Sequence, residues 1–291
     1  MTDIADHDPI WRRIGFATKN CCERIESMEK YLEDWGRYND VYGPTSPDNP
    51  TYESYTGRSD DLFTSYQLIQ LIHLGIAHPF GPSRAIVETA SALGVDLFCG
   101  SWRDHALLHS GQVLDRDQCR KEFDVWFDEL RIALFFAFLK QDPQQAEQVA
   151  GYIGDDLYPC DGYWDRVEND RLVYWLICEF VGKNQAPQDA AEKIEKGRPK
   201  RPKLMLALLR AIQQNDAAAF EKPFRDLVKH FKANELKGGK RDINTIRIVT
   251  SIDASLIWNL ASFSGLEVAM PAGDAADYVI TRESVAYGHG G

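Results

Sequence analysis

The chain has 291 residues, 44% of them apolar and 26% charged, with a formal net charge of -11 at pH 7. That length fits one large domain or two ordinary ones, and the acidic balance argues against non-specific binding to nucleic acid or anionic lipid, both of which need a positive field. The longest apolar run, Ile132 to Leu139, falls far short of the roughly 20 residues that cross a bilayer.

The apolar spacing is helical along most of the chain. Asp8 and Pro9 are a cap and a first helical residue, and Ile10, Ile14, Ala17, Cys21, Ile25, Met28 and Leu32 follow at steps of three and four, predicting a helix to about Tyr38. A Pro/Gly-rich loop covers 39–58. Ser59, Asp60 and Asp61 then start a helix whose face is Leu62, Phe63, Tyr66, Ile69, Ile72, His73 and Ile76. Residues 82–110 read as one or two helices. Asp115 to Gln141 reads as one helix, apolar nearly all round in its second half and therefore expected in the middle of the core.

Asp142 and Pro143 restart the chain as a helix to about Ile153, and a Gly/Asp/Pro-rich loop follows from Gly154 to Tyr163. Further helices are predicted at Trp164–Val181, Pro187–Glu195, Pro202–Gln214, Ala217–Leu236 and Ile243–Phe263, with Val268–Met270 and Tyr278–Thr281 as short extended pieces. Two junctions resemble each other, Ala137–Asp142 and Ala211–Asp216. In both, an apolar helix runs into polar residues and an aspartate caps the next, the pattern of a tight antiparallel hairpin. The expected fold is a single all-α domain over 1–291, of about nine to eleven helices, built from antiparallel hairpins in an α-solenoid-like bundle. Any helical hairpin could also produce the junction pattern.

The charge is unevenly spread. Residues 1–195 carry -16, residues 196–247 carry +9 and the remainder -4. The start, Met1 to Asp8, has three aspartates and no basic residue, unlike a secretory signal, so a cytoplasmic protein is expected, with no membrane or nucleic-acid partner. Cys21, Cys22, Cys99, Cys119, Cys160 and Cys178 contain no Cys-x-x-Cys pair, so neither a zinc knuckle nor a disulfide scaffold is suggested.

Candidate chemistry is sparse. His105 and His109 stand four apart, the helical spacing by which two imidazoles share a metal, but Ala106 occupies the position where a zinc peptidase has glutamate. They read as a surface or helix-end pair, and no metal or cofactor is expected. Asp155, Asp156 and Asp161 could hold magnesium against a diphosphate, with Asn169-Asp170 as a weak second motif, although enzymes of that kind place such aspartates on helices. The same loop suits recognition better. Tyr158, Tyr163 and Trp164 interleave with Asp155, Asp156, Asp161 and Asp165, giving aromatic anchors ringed by carboxylates for a basic protein surface. Lys196 to Lys203 holds five basic residues and two prolines and reads as a solvated linker between helices. Gly238-Gly-Lys240 reads as a helix stop, and no Gly-x-Ser-x-Gly motif occurs.

Leu204-Met-Leu-Ala-Leu-Leu-Arg-Ala-Ile-Gln-Gln-Asn-Asp216, running into Ala219-Phe220 and Leu227-Val-Lys-His230, and then Leu256-Ile-Trp258 and Ser264-Gly-Leu-Glu-Val268, resemble the all-α immunity proteins of bacterial polymorphic-toxin systems called immunity protein 49. The likeness spans roughly residues 120–285 and consists of apolar pattern and short turns; residues 1–60 have no counterpart in it. It implies a protein that is not an enzyme and that neutralises a cognate toxin by binding, with an acidic body suited to a basic toxin. It transfers no binding residues, so the expected contact set is the acidic and aromatic loop alone. The alternatives are a helical-repeat adaptor for short peptides and a magnesium-dependent helical-bundle enzyme.

Overall fold

A computed structural model describes residues 66, 69, 70, 73, 105–107, 113–115, 127–154, 164–182, 184–236 and 250–286. The predicted helix to Tyr38, the loop at 39–58 and five of the six cysteines lie outside them. Among the described residues the regular structure is helical apart from one short β-pair.

Helix α1 (Phe127–Lys140) lies at the centre. It contains no glycine or proline, and every residue from Ile132 to Leu139 is buried, as a helix apolar on all sides requires. Helix α2 (Pro143–Ala150) folds back on it, followed by α3 (Trp164–Val181), α4 (Ala190–Lys196), α5 (Lys200–Gln213), α6 (Ala217–Phe231), α7 (Ile252–Phe263) and the short α8 (Arg282–Ala286). A π-turn, Lys232–Leu236, extends α6.

The two junctions alike in sequence are alike in geometry. Gln141 and Asn215 both take left-handed backbones, with φ of 60° and 52°. In each, the residue's N–H bonds a carbonyl three residues back, and the next aspartate's N–H bonds one five back, at Ala137 or Ala211. This is the Schellman closure. Each aspartate then caps the following helix, Asp142 accepting from the N–H groups of Gln144 and Gln145 and Asp216 from that of Ala219. Helix α6 runs through Pro223 because Phe220, Phe224, Leu227, Val228 and Phe231 bury one continuous face, which outweighs the missing N–H.

Helix α7 is a second central helix, packed along α1 and buried from Asp253 to Ala261. Its polar side chains are tied to neighbours. Ser255 Oγ accepts from the Ile280 N–H at 2.9 Å, and Asn259 Nδ2 donates to the Ile280 carbonyl at 2.8 Å, which fastens the C-terminal segment to the core. The helical residues Tyr66, Ile69, Gln70 and His73 share one face by their spacing. Gln70 Oε1 accepts from both the Thr250 N–H and the Thr250 hydroxyl, and the Tyr66 ring stands edge-on to Phe135.

Several expectations are corrected. His105–Leu107 (β1) pairs antiparallel with Val113–Asp115 (β2), His105 opposite Asp115, so His105 does not begin a helical His-x-x-x-His pair and Asp115 does not begin α1. Ser110-Gly111 between the strands is a turn signal that competes with helical continuation. Helix α7 begins at Ile252 rather than Ile243, because Ser251 Oγ accepts from the Ala254 N–H and caps it there. The basic linker at 196–203 shortens to Gly197–Pro199, since α5 opens at Lys200. Pro202 falls in its first turn, where a missing N–H costs nothing. Val268–Met270 pairs with no strand among the described residues, and Ala276–Tyr278 is a 3-10 turn followed by an extended Val279.

Candidate functional site

The predicted recognition loop is only touched by the described residues. Asp155, Asp156, Tyr158, Asp161 and Tyr163 lie outside them; Trp164 and Asp165 are the first two residues of α3, described in backbone alone. The proposed second magnesium motif has other work. Asn169 packs against Gly197, where an added Cβ would lie 2.7 Å from its amide nitrogen, and Asp170 is held by Arg201.

That ion pair belongs to a cluster where four helices meet. From α1, Arg131 Nη2 donates to Asp253 Oδ1 of α7 at 2.7 Å; from α3, the Tyr174 hydroxyl donates to the same oxygen at 2.5 Å. From α5, Arg201 reaches Asp253 Oδ2 at 3.4 Å and Asp170 of α3 with both Nε and Nη2. Arg131 also lies over the Phe127 and Tyr174 rings. Two guanidiniums and two carboxylates balance.

The two carboxylates differ in surroundings. Burial pushes the Asp253 carboxyl up, but Arg131, Arg201 and the Tyr174 hydroxyl together pull it further the other way, and it rests below the ordinary carboxylate value. Asp170 has one arginine close by and feels the charge of Asp253. Burial prevails there and holds it above the ordinary value. Burial, with the Asp253 charge, lifts the Tyr174 phenol well above its usual range, so it stays a donor. The Cys178 thiol, fully buried on α3, is raised by desolvation and is an inert core group. Each charged group in the cluster is matched by another, an arrangement that fixes helix positions rather than one that leaves a reactive group poised.

The sequence reading passed over this cluster, yet a signal existed. Asp253 is the single charge in an apolar helical run, and such a residue is buried only when paired.

A surface cleft of about 460 Å³ lies between the start of α6 and the segment after α7. Phe220 and Phe224, stacked at 5.2 Å, form part of its floor, while Val268 and Met270 form the opposite wall. Its charged lining residues are Glu221 and Glu267, both exposed. Among the described residues no group of three or more His, Cys, Asp or Glu side chains is arranged to hold a metal ion, and no helix is long and apolar enough to cross a membrane. Compared with profiles of known protein families, with curated proteins and with solved structures, the chain matches none.

Proposed function

We propose that this chain is an immunity protein, not an enzyme, that neutralises a cognate bacterial toxin by binding it in the cytoplasm, without cofactor, through a stack of antiparallel helical hairpins resembling an α-solenoid. The observation that carries the reading is the charge distribution on a helical scaffold: residues 1–195 hold -16. Such a field speeds capture of a cationic protein and raises its local concentration. The internally neutralised Arg131, Asp253, Arg201 and Asp170 cluster suits a rigid scaffold. The loop carrying Asp155, Asp156, Tyr158, Asp161, Tyr163, Trp164 and Asp165 is the contact set in this reading.

The test is genetic and biochemical together. Proteins captured by the tagged chain from source lysate, at low and at high salt, are expressed singly in a laboratory host, with and without this chain. The expected result is one basic protein whose expression arrests growth and whose toxicity the chain suppresses. Captured proteins that do not arrest growth, or arrest that co-expression leaves untouched, would overturn the reading.

A further inference from the structure

The cleft beside α6 has three properties that together identify an occupant. Its floor is apolar, formed by Phe220 and Phe224. One wall is chain free to pair: from Glu267 to Pro271, no backbone N–H or carbonyl makes a hydrogen bond among the described residues. Along that wall exposure alternates, Glu267 and Ala269 exposed, Val268 and Met270 half-buried, the two-residue period of an extended strand. Its rim is acidic. Glu221 and Glu267 are its ionisable lining groups, with no lysine or arginine among the lining residues. The Glu221–Arg225 pair is a solvent-exposed i,i+4 contact, weak enough to be exchanged for a partner's cation.

An edge of unpaired backbone beside an apolar groove is the requirement for strand addition, in which main-chain bonds supply affinity and alternate side chains supply selectivity. A strand added along four residues spans about 13 Å. We propose that this cleft binds an extended peptide segment of a partner protein, added as a strand along Glu267–Met270, with apolar side chains at alternate positions in the groove and a flanking lysine or arginine at the glutamates. The proposal stands apart from toxin neutralisation: either can fail while the other holds.

The probe is a fluorescent decapeptide library with aliphatic or aromatic residues at alternate central positions, in one set flanked by lysine and in another by glutamate, titrated against the full chain. The lysine-flanked set should bind at least ten-fold more tightly, and saturation should slow hydrogen exchange at alternate amides of Glu267–Met270, either Glu267 and Ala269 or Val268 and Met270. The double variant Glu221→Lys/Glu267→Lys should reverse the preference. Ala218, an exposed lining residue, gives the blocking variant: Ala218→Trp, with unchanged circular dichroism, should weaken binding at least ten-fold. Equal binding of both peptide sets, binding that survives Ala218→Trp, or protection of other amides would overturn the proposal. Protection of the same amides that rises with protein concentration and without peptide would overturn it in favour of a second copy of the chain.

Discussion

Replacing Asp253 with asparagine probes the four-helix cluster with little change in shape. The carboxylate side chain is 3% exposed and faces the Arg131 and Arg201 side chains, themselves 11% and 22% exposed. Asparagine keeps an oxygen for Arg131 and Tyr174 but removes one of the cluster's two negative charges, so that the two guanidiniums lose half of the charge described here against them. Breaking a buried pair by removing one partner costs about 3–5 kcal/mol; because Arg201 keeps some access to water, the low end applies, about 3 kcal/mol. With a urea slope of about 3 kcal/mol/M, the midpoint should fall by roughly 1 M. The control is Asp170→Asn. Burial already holds that carboxyl above its ordinary value, so its ionisation is less favourable in the fold than in the unfolded chain and its loss should cost clearly less. Urea unfolding followed by circular dichroism measures both. An Asp253→Asn variant within about 0.5 kcal/mol of the parent, or one less damaging than Asp170→Asn, would refute the charge-balance reasoning.

Three further outcomes are expected. Desolvation brings the His73 imidazole down from 6.5 to about 4, against backbone hydrogen bonds at Asp277 and Ala276 that act the other way. The unfolded chain therefore binds the proton first as pH falls, and up to about 3 kcal/mol of stability should be lost between pH 6.5 and 4, a loss that His73→Gln should flatten in pH-dependent urea unfolding. Asn215→Val, forcing a β-branched residue into a left-handed backbone, should lower stability by about 1–2 kcal/mol, and Asp216→Ala by about 1 kcal/mol through loss of the cap, both read by thermal unfolding. Gly197→Ala should force the Asn169 amide aside, lowering the melting temperature, whereas Gly197→Ala combined with Asn169→Ala should recover it.

The helices from α1 to α6 were legible in number and order from their apolar spacing, and the starts of α2 and α6 were legible to the residue because they are written in local chemistry. Asp142 before Pro143 and Asp216 before Ala217 are caps, and apolar residues at steps of three and four fill the intervals. The errors fall where a local signal is brief or competes with another. Three-residue strands such as His105–Leu107 are too short to impose a period of two. Ser251 ends an apolar stretch that continues in spacing from Ile243 to Phe263, and only its bond to Ala254 N–H shows where α7 starts. The cleft was less legible still, since its two sides, α6 and the segment after α7, are brought together by tertiary packing. The lone charge at Asp253 announced that a partner was needed without saying which.

The basic segment 196–247 shows how a pattern legible in charge can mislead in role. Lys196, Arg210 and Lys232 pair with Glu192, Glu195 and Asp274, and Arg201 with Asp170 and Asp253, all carboxylates outside the segment. Lys222 and Arg225 pair within it. The exposed pairs contribute about 0–1 kcal/mol each, so their consequence is less for stability than for the surface field. Six of the segment's cations have a carboxylate beside them, and at distances beyond the Debye length of about 8 Å such pairs are nearly neutral. The field that reaches a distant partner is then set by the chain's net charge of -11, and under the proposed function the salt dependence of capture should follow the acidic body rather than the basic segment.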